Sequence, residues 1–280
     1  MTYTIIGGGA VGLVLASYLA TQGSVTIVVK RQQQAQLLQQ HGITCHSEWG
    51  QSIAHVHATT TIPNDPAQHI FICTKAYALQ TITEQLAHIE AATITACQNG
   101  LAHLALLEHP SSCAAVVEFG AYKESDTIVH HTGVGRVVIG ALSGGQVPFI
   151  ASTQQLPIIY DESIQDVMWR KALLNCCINP LTAIMQVKNG ELITNPSLWQ
   201  IVMRMHAELE EALPKQMKNV PLKAVYELCE KTAQNRSSMH VDIAHGRQTE
   251  IEEIVGAVLA FTAHPLPTLR VLYDQIIAKR

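Results

Sequence analysis

Charge is scarce in this chain. Asp, Glu, Lys and Arg make up 14% of its 280 residues and the formal net charge is −4, so the basic footprint that nucleic acid requires is missing. Long apolar runs are missing too. Residues 5–20 come nearest, but three consecutive glycines interrupt them and no basic segment precedes them. Neither a secretion signal nor a membrane span is expected. Seven cysteines (Cys45, Cys73, Cys97, Cys113, Cys176, Cys177, Cys229) form no C-x-x-C pair, and their odd number argues against a disulfide framework. Reduced, mostly buried thiols in a cytoplasmic protein are expected. Fourteen histidines are scattered, with no H-x-x-x-H pair or Cys/His cluster at metal-ligand spacing, and no metal site is expected. What is present is a globular composition, 48% hydrophobic, in a chain long enough for two cores.

Thr2-Tyr3-Thr4-Ile5-Ile6 reads as a short buried strand rich in β-branched residues. Gly7, Gly9 and Gly12 follow at the spacing G-x-G-x-x-G, with Gly8, Ala10 and Val11 between them, and residues 10–18 continue as an apolar helix. In a dinucleotide site the first glycine makes the tight turn and the second lets the backbone approach the pyrophosphate. The third lets the helix pack closely on the strand. The helix start offers N–H groups and a positive dipole end to the phosphates.

Residues 1 to about 140 alternate short apolar runs with helical patterns, the mark of a parallel sheet with crossover helices. Strands are expected at 25–29, 69–74 and 93–97, and a polar, glutamine-rich helix at 32–41. Residues 43–48 and 52–57 read as a pair of edge strands. Runs at 114–119, 127–131 and 136–139 read as a meander punctuated by Gly133, Gly135 and Gly140. From about Glu162 apolar residues recur at helical spacing, over 167–187, 198–213, 222–232, 238–262 and 269–277. The fold class expected is α/β, a Rossmann-like dinucleotide-binding domain at 1–161 followed by an all-helical domain at 162–280.

In an open α/β sheet, ligands bind outside the carboxyl ends of the strands. Four of those ends carry suitable groups: Gly7–Gly12 after the first strand, Lys30 and Arg31 after the second, then Lys75 and Asn99 after the next two. A basic pair about twenty residues past the glycines suits the 2′-phosphate of NADP, where an acidic residue would suit the ribose hydroxyl of NAD. In the helical half, Lys171, Asn175 and Asn179 stand four apart, spanning an arc of roughly 80° on one face. Polar groups on so apolar a helix are costly unless a partner pairs with them. That partner is either a ligand or another group of the protein. Ser238 and Asp242 share a helical face. Glu250 lies roughly 120° away from Ser238 on an ideal helix, so spacing alone does not join it to them.

Together these stretches resemble the ketopantoate reductases. The resemblance rests on Gly7–Gly12, Arg31, Lys75, Gln98-Asn99-Gly100, Trp169-Arg170-Lys171 with Asn175 and Asn179-Pro180-Leu181-Thr182, and Ser237-Ser238-Met239 with Asp242 and Thr249-Glu250. It spans nearly the whole chain in the same order. It implies a Rossmann domain and a helical domain with the active site in the cleft between them. It also implies NADPH-dependent reduction of ketopantoate to pantoate, on the route to pantothenate and coenzyme A. By motif, Lys171 would be the general acid. Asn99, Asn175, Asn179, Ser238 and Glu250 would hold the substrate, with Asn99 also near the nicotinamide ribose. Glu250 enters the catalytic set on this ground only. The partner is then a small 2-oxo acid, and a homodimer stays open. Val255-Gly256 stands where the family usually has Asn-Gly, the segment 261–267 is short, and Gly8 replaces a common alanine, a change expected to be neutral. The first two bear on which 2-oxo acid is used. A paralogous reductase of another small 2-oxo acid and a non-catalytic NADP-binding sensor are the alternatives.

Overall fold

The computed structural model describes residues 1–101, 111–133, 135–142 and 145–279. Its packing separates two compact units, Met1–Gln98 with Ala105–Ile164, and Asn99–Leu104 with Gln165–Arg280. Among the described residues no helix is long and apolar enough to cross a membrane.

The first unit is built on an eight-stranded sheet. In chain order its strands are β1 (Thr2–Ile6), β2 (Ser24–Val28), β5 (His57–Thr59), β6 (Gln68–Ile72), β7 (Thr93–Ala96), β8 (Ser112–Val117), β11 (Val137–Ala141) and β12 (Ile158–Tyr160). Their spatial order is β12-β11-β8-β7-β6-β1-β2-β5. All neighbours run parallel except β8 and β11. The chain adds strands outward from β1 on one side, then returns to place β6 on its other side. The switch point, where such sheets bind ligands, therefore lies at the carboxyl ends of β1 and β6. These central strands are buried on both faces, which is why they read as continuous apolar runs. The buried Thr4 hydroxyl is satisfied by donating to Oε1 of Gln68 at 2.7 Å.

A second, four-stranded sheet of order β4-β3-β10-β9 completes this unit. It comprises β3 (Ile43–Ser47), β4 (Gly50–Ala54), β9 (Gly120–Lys123) and β10 (Ile128–Gly133). Helix α1 (Ala10–Leu19) packs on β1 and β2 from one side and on β3, β4, β9 and β10 from the other. Covered twice, it is apolar nearly all round. The meander expected over 114–139 is instead divided between the two sheets. Strands β8 and β11 are buried on both faces and join the main sheet, whereas β9 and β10 keep exposed positions and suit a sheet packed on one side. Helix α2 (Gln32–His41) follows β2, and α3 (Leu79–Leu86) follows β6.

The second unit is helical. Its helices are α4 (Ile164–Met185, whose first residue belongs to the other unit), α5 (Glu191–Thr194), α6 (Pro196–Ala212), α7 (Pro214–Met217), α8 (Leu222–Lys231), α9 (Ser238–Ala244), α10 (Ala257–Phe261) and α11 (Pro267–Ile277). The single helix expected over 238–262 is broken. After α9 the His245 and Arg247 N–H groups fold back onto the Asp242 carbonyl, and Gly246 takes φ +61°, a glycine-type helix stop. Helical structure resumes at Ile251 and passes through a π-turn at Glu252–Gly256 before α10.

Candidate active site

The glycine loop fits a dinucleotide. Gly7 sits at φ +117°, and a Cβ there would stand 2.9 Å from the Thr74 backbone nitrogen beyond the end of β6. A Cβ on Gly12 would stand 2.0 Å from the Gly7 carbonyl oxygen, so α1 packs onto the loop only because that residue has none. Gly9, by contrast, faces open space, with nothing within 4 Å of where a Cβ would be. It caps α1 with no side-chain hydrogen bond. The N–H groups of the first turn, including those of Ala10, Val11 and Gly12, are thus left to a ligand. Two buried polar atoms near these strand ends, Thr74 Oγ1 and Gln98 Oε1, have no hydrogen-bonding partner among the described residues. The Gln98 amide is held by donating to the carbonyls of Ile72 at 2.9 Å and Thr74 at 3.2 Å. Lys75 is half-buried directly beyond the β6 end, and Lys30 is exposed.

Arg31 joins a cluster that sequence spacing does not reveal. Its guanidinium pairs with the Asp126 carboxylate, which also accepts from Lys123 Nζ at 3.0 Å. The Arg31 guanidinium first, and Lys123 second, hold the Asp126 carboxyl below the ordinary carboxylate value. Lys123 Nζ donates to the Gly8 carbonyl at 3.3 Å, and the buried Gln34 amide donates to the same carbonyl at 3.1 Å. Gly8 is closely surrounded by side chains. A Cβ would come within 2.6 Å of Gln34 Nε2 and 2.7 Å of Val29 Cγ1, and Gln34 is pinned by its two backbone acceptors.

In the helical unit, Lys171 Nζ donates to Asn99 Oδ1 at 2.8 Å, and Asn99 Nδ2 donates to Glu250 Oε2 at 3.2 Å. One amide is thereby oriented between an ammonium and a carboxylate. Lys171 is half-buried and Glu250 only 5% exposed. The Asn99 turn is fixed from below. Gly100 takes φ +85°, and the Leu101 N–H donates to the Glu253 carbonyl at 3.0 Å. That carbonyl belongs to the π-turn, where the helical bonding pattern is displaced; such turns recur at functional sites. A second π-turn carbonyl, that of Ile254, accepts from Cys176 Sγ at 3.8 Å.

Asn175 and Asn179 extend the Lys171 face of α4. Asn179 is 6% exposed, and among the described residues neither amide has a hydrogen-bonding partner in the protein. Internal pairing, one of the two options for this polar stripe, is met only by Lys171. Ser238 is exposed at the first turn of α9, while its neighbour Ser237 caps the helix. The Ser237 hydroxyl accepts from the His240 N–H at 3.1 Å and bonds Thr182 Oγ1 on α4 at 2.8 Å. Val255 is fully buried, within the π-turn. Phe261 stacks edge-on against Trp169 with ring centroids 4.6 Å apart. All seven cysteines are free thiols. Burial pushes Cys176 well up and Cys177 up to about 12, and both thiols are fully buried, as packing groups are.

A loop suited to a dinucleotide and a hydrogen-bonded lysine–amide–carboxylate set on one chain are parts that a nicotinamide-dependent oxidoreductase requires. Comparison with known proteins agrees. The family described as "Ketopantoate reductase PanE/ApbA" matches residues 3–144, and "Ketopantoate reductase PanE/ApbA C terminal" matches residues 163–280. The 2-dehydropantoate 2-reductase of Bacillus subtilis (strain 168) is 35% identical over 268 residues, covering 92% of this chain and 90% of its own. That of Listeria monocytogenes serovar 1/2a is 33% identical over 284 residues, covering 97% and 94%. The crystal structure of a probable 2-dehydropantoate 2-reductase from Bacillus subtilis superposes with a TM-score of 0.87 at 34% identity, covering all of both chains. The chain belongs to the ketopantoate reductase PanE/ApbA family and is an oxidoreductase acting on a small molecule.

Proposed function

We propose that the protein reduces ketopantoate to pantoate with NADPH, in the supply of pantothenate and coenzyme A, and that Lys171 is the general acid. One observation carries this reading: the Lys171–Asn99–Glu250 relay, in which a single ammonium on an apolar helix is held at 2.8 Å by an oriented amide. The first unit is the NADP-binding domain on this reading, and the helical unit is the substrate and catalytic domain.

Gly7–Gly12 would receive the pyrophosphate, Lys30 and Arg31 the 2′-phosphate, and Lys75 and Asn99 the nicotinamide end. A bound reduced nicotinamide supplies the hydride. The protein's task is then to manage the charge that grows on the ketone oxygen as its carbon is reduced. Lys171 Nζ stabilises that charge and transfers a proton to the oxygen, a step typically worth about 10²–10⁴ in rate. Asn99 aims the ammonium, because its Oδ1 accepts from Nζ while Glu250 fixes its Nδ2. Asn175 and Asn179, whose amides have no partner among the described residues, are suited to the substrate's carboxylate and hydroxyl, and Ser238 offers an accessible hydroxyl.

The test follows loss of nicotinamide absorbance with purified protein, NADPH and a panel of 2-oxo acids. Turnover with ketopantoate at a kcat/KM well above that for its analogues is the expected result. Preference for another member of the panel would assign a different 2-oxo acid to the same machinery. NADPH binding without consumption by any of them would make the chain a sensor.

A further inference from the structure

Arg31 is not alone where the 2′-phosphate would bind. Lys123 ends β9, and Asp126 lies in the turn that leads to β10, more than ninety residues further along the chain. Yet the three charges form one chain of contacts. Asp126 accepts from both cations, and Lys123 reaches the Gly8 carbonyl of the glycine loop. Gln34, from the first turn of α2, donates to the same carbonyl and to the Asp126 backbone carbonyl at 3.2 Å. Four elements of one unit therefore meet around the loop between β1 and α1. The side chains of Arg31, Lys123 and Asp126 are 53%, 29% and 20% exposed, so they are within reach of a ligand.

We infer that the hairpin β9–β10 is a cofactor-specificity element, in which Lys123 joins Arg31 in binding the adenosine 2′-phosphate and Asp126 limits how strongly the pair does so. This rests on the NADPH reading above. Within this cluster two cations against one carboxylate leave a single net positive charge, to which the exposed Lys30 adds a second, for a phosphate that carries about −1.5 to −2 at neutral pH. The phosphate must share both cations with Asp126, or displace it. Asp126 thus holds the cations in place in the free protein and weakens their grip on the phosphate. A cofactor lacking the 2′-phosphate meets no such competition. Discrimination against NADH is therefore set by the Lys123–Asp126 pair as well as by Arg31.

Isothermal titration with 2′,5′-ADP and with 5′-AMP, on the full chain and on its Lys123→Met, Asp126→Asn and Arg31→Ala variants, tests this. The unaltered protein should prefer 2′,5′-ADP. Lys123→Met should reduce that preference roughly five- to tenfold, the scale of a charge-assisted hydrogen bond discounted for exposure. Asp126→Asn should increase it by a few-fold, each effect read as the ratio of the two affinities. Lys123→Arg should restore the preference, which a merely structural lysine would not require. The same pattern should appear as the ratio of kcat/KM for NADPH to that for NADH. If the unaltered protein binds both nucleotides equally, the NADPH reading fails and this inference with it. If it prefers 2′,5′-ADP but Lys123→Met and Asp126→Asn leave the preference unchanged, the NADPH reading stands and the role of the hairpin is refuted.

Discussion

Gly100 carries more of the site than its size suggests. It holds φ +85°, and a Cβ on it would lie 2.1 Å from the Glu253 carbonyl oxygen. That approach closes the turn which carries Asn99. Gly100→Ala is expected to destabilise the protein by roughly 1–3 kcal/mol through backbone strain alone, and to lower kcat because Asn99 leaves its place beside Lys171. Thermal denaturation and steady-state kinetics on the same preparation check both effects; an unshifted Tm would show that the turn is not held as described. At this scale the sequence was uneven as a guide. Lys171, Asn175 and Asn179 were legible because helical period puts them on one face. The bridge from Asn99 to Glu250 spans 151 residues, and no spacing rule reaches that far. Lys123 and Asp126 gave no signal at all, since nothing in their neighbourhood marks a β-turn as part of a glycine-loop site.

The elements were read more securely than their partners. The first strand and the second helix were expected within a residue of where they lie. What periodicity could not supply was pairing: the three expected runs fall on β8, β10 and β11, β9 was not expected, and burial on one or both faces sorts the four between two sheets. Nor could it supply the break after α9, because apolar spacing carries on through a glycine that ends the helix. That break matters, for it lets Glu250 start a new helix rather than ride on the old one. The cap of α9 belongs here too. Ser237 satisfies the His240 N–H and meets the buried Thr182 hydroxyl on α4. Ser237→Ala should cost about 1–2 kcal/mol, an N-cap loss with a buried hydroxyl bond added, read as a shift in urea midpoint at unchanged m-value. A midpoint within error of the parent protein would mean that the α4–α9 junction does not depend on this serine.

For the whole molecule, pH should act through His131. It sits where α1 meets the second sheet, 4% exposed, with Tyr18 Oη 2.8 Å from its Nδ1 and with Nε2 buried and without a partner among the described residues. Phe119 packs edge-on against the ring at 5.1 Å. Burial lowers its pKa from the ordinary 6.5, so the fold holds the neutral form. The stabilisation is fully present above the unfolded-state pKa and is lost as pH falls from about 6.5 through the lower folded-state value. Stability should therefore decline on acidification across that window, and His131→Gln should flatten the decline. An unchanged slope in the variant would assign the acid sensitivity elsewhere. The two-part plan of the chain was legible from composition and period: a nucleotide-type α/β unit, then helices. The exchange of the Asn99 turn into the helical unit was not, because it depends on tertiary packing against the π-turn.

Whether Lys171 delivers the proton is tested by single-turnover NADPH oxidation with ketopantoate by Lys171→Ala beside the unaltered protein. The chemical step should slow by roughly 10²–10⁴ while NADPH affinity, measured separately, stays the same. A variant that turns over at the parent rate, with cofactor and substrate both bound, would contradict the account.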